Sequence, residues 1–193
     1  MAEQKDRLEF AARVHLAFQE EGEYESFKKG QYLTREGEVE RRLFFIESGA
    51  VKIYFLSEMG EKIIRLGYDG SILNSLSSFF TQAPSDLYIE AIRETKVKYL
   101  TKGKVAELIA NSSQYPQFLE SLLIQQLERE LDLLHDSPSL RLERVLARSP
   151  HLFQHIPLKY IASYLRMSPE TLSRIRKAWF KSRTRGLKGW IFA

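Results

Sequence analysis

Cysteine is absent from the 193-residue chain, which excludes disulfides, thiolate zinc sites, cysteine-ligated iron–sulfur clusters and thiol chemistry. Any sensing here is not done by sulfur. No run approaches the roughly 18 consecutive apolar residues of a membrane span, and the charged stretch from Met1 to Phe18 lacks the apolar centre of a signal peptide. A soluble cytoplasmic protein with no membrane partner is expected. Histidine is scarce: His15, His135, His151 and His155 are all there are, and none falls between Phe27 and Leu100. Acidic residues nearly vanish after residue 140, where Glu143 and Glu170 stand against 12 basic residues; the first 140 hold 17 basic and 23 acidic. A compact segment carrying +10 seeks a polyanion, nucleic acid or an anionic surface, more than scattered Lys and Arg would.

What is present is an ordinary globular balance, 44% hydrophobic and 28% charged, so the chain folds around a core. Leu8, Phe10, Ala11, Val14, Leu16 and Phe18 have helical spacing and stop near Gly22. From Phe27 to Leu100 the texture becomes short apolar runs punctuated by Gly30, Gly37, Gly49, Gly60, Gly67 and Gly70, the pattern of strands and tight turns in a sandwich or rolled barrel. Val51, Ile53 and Phe55 alternate with Lys52 and Tyr54, which predicts a half-buried strand pairing with Lys62 to Tyr68 across a turn at Ser57 to Gly60. Leu87 to Ala91 and Val97 to Leu100 are two further strands, with Glu94 and Thr95 in the turn between them.

Beyond Leu100 the chain turns helical. Val105 to Ser112 is one short helix, and Pro116 to His135 carries Leu119, Leu123, Leu127, Leu131 and Leu134, continuous with Phe118 and Leu122. Such a stripe packs either on its own sheet or along a second copy of itself; its length favours the seam of a parallel homodimer. Asp136, Ser137 and Pro138 end it.

Pro157 to Trp179 has the spacing of a helix-turn-helix. Leu158, Ile161, Ala162 and Leu165 form the inner face of a first helix, which Pro157 can open. Arg166 and Met167 make the turn. Ser168 is a good N-cap with Pro169 at the first helical position, and Leu172, Ile175 and Trp179 face inward. The opposite face holds Glu170, Ser173, Arg174 and Lys177: an arginine can fork onto guanine, a glutamate can accept from cytosine, and Ser or Lys can hold phosphates. Any amphipathic hairpin can imitate this pattern. Arg166 stands where glycine is usual, and a left-handed backbone there costs on the order of 1 kcal/mol.

Lys29 to Gly37 (KGQYLTREG), Leu43 to Phe55 (LFFIESGAVKIYF), Tyr68 to Gly70 (YDG) and Leu165 to Arg174 (LRMSPETLSR) together resemble the Crp/Fnr superfamily of transcription regulators. The resemblance implies an α+β chain: a cyclic-nucleotide-binding-like β-roll (double-stranded β-helix) sensor over residues 1–112, a dimerisation helix over 113–136 and a helix-turn-helix domain over 137–193. It also implies base contacts by Glu170 and Arg174, a two-fold operator in double-stranded DNA, and RNA polymerase as a further partner. Ser168, Pro169, Ser173, Lys177 and Lys181 complete the expected DNA-binding set.

The ligand cassette departs from that family. Cyclic-AMP-binding members carry a Gly-Glu pair for the ribose and an Arg-Ser pair for the phosphate, where this chain has Asn74 and Ser75, then Ser85 and Asp86. Losing the arginine removes a charge-assisted partner and Asp86 repels a phosphate, so an effector near Gly70, Asn74, Ser75, Ser85 and Asp86 is expected not to be cyclic AMP. The β-hairpin wing is expected to be short or absent, with Lys181, Arg183, Arg185 and Lys188 contacting phosphates instead. Two other readings stay open, a cupin-like β-roll enzyme and an interaction module with a basic C-terminal segment. A cupin metal needs histidines on the roll; His151 and His155, between Pro150 and Pro157, suggest a loop. No catalytic residue, metal site or resident cofactor is identified, and an enzyme is not expected.

Overall fold

A computed structural model describes residues 2–110 and 115–188 of the chain. It divides into two compact units, residues 1–129 and 130–193. The first unit opens with α1 (Ala2–Glu21) and continues as strands: β1 (Glu23–Phe27), β2 (Tyr32–Thr34), β3 (Arg42–Ser48), β4 (Ala50–Ser57), β5 (Gly60–Tyr68) and β6 (Ile72–Leu73). After α2 (Leu76–Thr81) come β7 (Tyr88–Ala91), β8 (Thr95–Thr101) and α3 (Lys102–Ala110). The strands form two antiparallel four-stranded sheets, ordered β1-β8-β3-β6 and β2-β7-β4-β5. Consecutive strands β7 and β8 therefore belong to different sheets, as a roll requires.

Strand alternation distributes the core. Phe44, Ile46 and Val97 of one sheet meet Leu33, Val51, Ile53, Ile89 and Ala91 of the other in a single buried cluster. Phe45, one residue out of phase with Phe44, points to the opposite face and packs with Leu100 against Val14, Ala17 and Phe18 of α1. Burying each such side chain contributes about 1.5–3 kcal/mol.

β4 corrects the expected alternation. Lys52 is 4% exposed and Tyr54 3%, while Phe55 is 38% exposed. Two causes act together. β4 is an inner strand whose second face is covered by the Lys52 ammonium paired with Glu61 and Glu90, and a register shift between Ile53 and Tyr54 displaces everything beyond it. Thr95, expected in a turn, opens β8 opposite Phe27, fully buried.

The second unit takes in the end of α4 (Tyr115–Leu134), followed by α5 (Pro138–Arg148), α6 (Leu152–His155), α7 (Leu158–Tyr164) and α8 (Pro169–Lys188). Pro138 occupies the first turn of α5 and the Ser137 hydroxyl accepts the Leu140 N–H, so the expected break is a helix cap. Leu142, Val145, Leu146, Leu152, Ile156, Ile161, Leu165 and Leu172 form the buried face of these helices. Asp132 on α4 is completely buried and is held by Arg144 Nε at 2.8 Å and Arg148 Nη1 at 3.1 Å, both on α5. His151 caps and His155 ends a single helical turn where a loop was expected, because the Ile156 N–H closes onto the Leu152 carbonyl.

Gly49 has φ +113, and a Cβ there would lie 2.5 Å from Thr95 Cα; Gly37 has φ +84 with nothing within 4 Å. Gly49→Ala should therefore lower stability by about 3 kcal/mol or more, combining strain with overpacking, and Gly37→Ala by only about 1. Urea unfolding of both variants checks the contrast.

Candidate nucleic-acid interface

The turn between α7 and α8 is a complete Schellman motif. The Met167 N–H donates to the Ala162 carbonyl at 3.0 Å and the Arg166 N–H to the Ser163 carbonyl at 3.2 Å, with Arg166 at φ +54. The left-handed conformation that sequence reasoning weighed against the motif is the one adopted. Its support comes from α5: the Arg141 guanidinium donates to the carbonyls of His135 at 2.6 Å and of Arg166 at 3.4 Å. Pro157 sits at the N-cap of α7, one position before the first turn expected for it.

α8 starts as the sequence predicts. The Thr171 N–H donates to Ser168 Oγ at 3.2 Å and the Leu172 N–H to the Ser168 carbonyl at 3.0 Å. Leu172 is fully buried and Ile175 and Trp179 are half-buried, which turns the opposite face outward. Pro169, Glu170, Ser173, Arg174 and Lys177 line one shallow open depression on that face. Glu170 is exposed, and its carboxyl is held below the usual carboxylate range by its own backbone N–H and the Ser168 hydroxyl. Arg174 and Lys177 are exposed beside it. Lys181, Arg183, Arg185 and Lys188 fall on the last turns of α8, where the backbone continues as helix and the side chains lie outside the described residues.

The basic excess of this unit is not all outward charge. Arg144 and Arg148 neutralise Asp132, Arg141 binds carbonyls, and the Arg176 guanidinium stacks 4.7 Å over Phe153. Sequence reasoning missed these assignments because the partners lie on other helices. Asp132, inside the leucine stripe, is the one visible signal: an acid at an otherwise apolar helical position.

In the first unit the residues expected near an effector separate. Gly70, at φ +83, forms the tight turn in which Asp69 Oδ1 accepts the Gly49 N–H at 2.8 Å. Ser75 and Ser85 are 1% and 2% exposed and hydrogen-bond each other at 2.7 Å, with Ser85 Oγ also bonded to the Leu87 carbonyl and N–H. Their hydroxyls are engaged with protein. Asp86 is exposed. Gly70 and Asn74 instead border a cavity of about 350 Å³ on the outer face of the β1-β8-β3-β6 sheet, under α2, α3 and α4. Among the described residues no three His, Asp or Glu side chains converge as a metal set, and no helix is long and apolar enough to cross a membrane.

Residues 24–112 match the family model of the cyclic nucleotide-binding domain. Curated proteins show no match in sequence. Among solved structures the chain is similar to FixK2 from Bradyrhizobium japonicum, with 19% identity over 83% of this chain and 85% of that one and a TM-score of 0.65. It is likewise similar to the Thermus thermophilus Catabolite Activator Protein, with 22% identity over 88% and 83% and a TM-score of 0.53. The c-di-GMP-responsive global regulator CLP of Xanthomonas campestris gives 14% identity over 92% and 93%, with a TM-score of 0.56. The chain has the α+β fold of these regulators, an N-terminal β-roll followed by helices, as the resemblance to Crp/Fnr regulators implied.

A β-branched side chain tolerates the left-handed region worst. Arg166→Val should cost about 1–2 kcal/mol, whereas Arg166→Gly should stay within about 1 kcal/mol of the parent, the relief of strain offset by a more flexible unfolded chain. Thermal unfolding followed by circular dichroism measures both.

Proposed function

We propose that the chain is a homodimeric, sequence-specific DNA-binding transcription regulator of the Crp/Fnr type, cytoplasmic, whose β-roll senses an effector other than cyclic AMP. Residues 1–112 are the sensor, 113–136 the dimerisation helix and 137–193 the DNA-binding domain; the partners are double-stranded DNA with a two-fold operator, a second copy of the chain, and RNA polymerase. The observation that carries this reading is the row of exposed Glu170, Arg174 and Lys177 with half-buried Ser173 on a capped helix behind a Schellman turn. Arg174 forks onto guanine, Glu170 releases its cap to accept from cytosine, and Ser168, Ser173, Lys177 and Lys181 hold phosphates, with Pro169 fixing the helix start. The mutual bond of Ser75 and Ser85 supports an effector other than cyclic AMP, since both hydroxyls are engaged with protein groups.

Dimerisation is supported by exposure on α4: Leu123 is 66% exposed, Leu127 59%, Leu131 53% and Leu134 75%. Phe118, Leu119 and Leu122 lie outside the described side chains. A row of large apolar side chains so exposed is covered by a partner, and a parallel pairing of this helix covers it. An effector then acts by biasing how the two copies of α4 pair, and so whether the two recognition helices stand about 34 Å apart, one turn of DNA. Light scattering at micromolar concentration should give a dimer mass for the parent and a monomer mass for Leu127→Glu, because an unpaired charge in the seam costs several kcal/mol. A monomeric parent contradicts the proposal.

Arg174→Ala should weaken binding to the selected operator by about 1–3 kcal/mol per half-site and relax preference at one base pair. Lys177→Ala should weaken all duplexes alike and lower the salt slope by about one per contact. If Arg174→Ala affects operator and scrambled DNA equally, the residue does not read bases; if the parent binds neither at moderate salt, the basic unit is an interaction module instead.

A further inference from the structure

We infer that Asp132 is a positioning residue: three arginines on one face of α5 grip it and the end of α4, and this clamp fixes the angle between the two helices and, through it, the direction in which α8 is presented. The inference rests on the DNA-binding reading and deepens it, by naming what sets the geometry of that site. Arg141, Arg144 and Arg148 stand at i, i+3 and i+7 of α5, so they share one side of the helix. All three turn to the end of α4. Arg144 Nε and Arg148 Nη1 donate to the same Asp132 oxygen at 2.8 and 3.1 Å, and Arg148 Nη2 meets the other oxygen. Arg141 Nη1 donates to the His135 carbonyl at 2.6 Å and to the Asp136 carbonyl at 3.4 Å, just beyond the last turn of α4.

The spacing of the arginines decides what such a grip does. His135, Asp136 and Ser137 alone separate the two helices, and a connection of that length allows several interhelical angles. A single ion pair would let α5 swivel about it. Arg144 and Arg148 instead stand one helical turn apart, about 6 Å along the axis, so their common hold on Asp132 fixes a direction as well as a point. Arg141 brings the carbonyls at the end of α4, the negative pole of its helix dipole, to the same face of α5. Its Nη2 also reaches the Arg166 carbonyl at 3.4 Å, in the turn that opens α8. Asp132 itself is completely buried and cannot touch DNA, so it acts through the arginines. Apolar replacement of a buried ion pair is often neutral for stability; what the carboxylate adds here is direction.

The chain has no cysteine, so Glu130→Cys on α4 and Gln154→Cys on α6, both at exposed positions, take spin labels uniquely. Pulsed EPR of the doubly labelled full chain, diluted into excess unlabelled chain, reads the distance between them without DNA. The parent should give one narrow distribution. Arg148→Gln, which leaves the Arg144 pair in place, should broaden it about twofold, and Asp132→Asn should broaden it further. Cooperative thermal unfolding of each variant shows that it is folded. A parent-like distribution in Arg148→Gln overturns the two-armed grip, and one in Asp132→Asn overturns the clamp. The link to recognition is read on the operator: inserting two base pairs between the half-sites should weaken the parent at least about tenfold but Asp132→Asn by less than about threefold, with equal binding of both to scrambled DNA. A purely structural Asp132 would lower the melting temperature and keep the full spacing penalty, which overturns the positioning role. If the parent binds no operator the regulator reading fails, while the distances still decide the clamp.

Discussion

The presentation of α8 depends on one backbone position. Arg166 must turn left-handed so that the Met167 and Arg166 amides close back onto α7, and only that closure lets Ser168 cap the next helix four residues after Tyr164. A non-glycine residue accepts that conformation at a cost of about 1 kcal/mol, and the compensation lies in the surroundings. The Arg141 guanidinium gathers the carbonyls of Arg166, His135 and Asp136, so the turn is tied to the start of α5. With Leu172 buried behind it, the row from Glu170 to Lys177 has one way to face.

In the first unit the comparable constraint is the close approach of Gly49 to Thr95. The Thr95 hydroxyl accepts the Ala50 N–H at 3.1 Å, and Gly49 donates to Asp69, which joins the ends of three strands beside the Gly70 turn. The roll is thus fully built, and the hydroxyls of Ser75 and Ser85, expected to lie near an effector, bond each other. Cavity volume lies instead on the outer face, where α3 stands off the sheet.

The pair α7 and α8 with its turn, the strand–turn–strand around Gly60 and the ends of α4 were legible because each is written in local periodicity and caps. What escaped was the use of charge over long range. Lys52 reads as a solvent-facing strand residue until Glu61 and Glu90 arrive from the strands on either side. Arg141, Arg144 and Arg148 read as part of a polyanion patch, yet they serve carbonyls and the buried Asp132. The basic total overstated the outward charge of this unit, whereas the helical spacing of Glu170, Ser173, Arg174 and Lys177 anticipated that they share one face. The cavity had only a faint signature, Val105, Leu108 and Ile109 at helical spacing, because whether such a face is filled depends on packing.

The most direct test of the claim that α8 reads DNA is a hydroxyl-radical footprint of the parent chain on duplexes it selects from a random pool. The account predicts one enriched two-fold sequence with two protected half-sites about 10–10.5 base pairs apart, centre to centre, each crossed by a major groove. Selection that enriches no sequence, with protection spread evenly along the duplex, would contradict it.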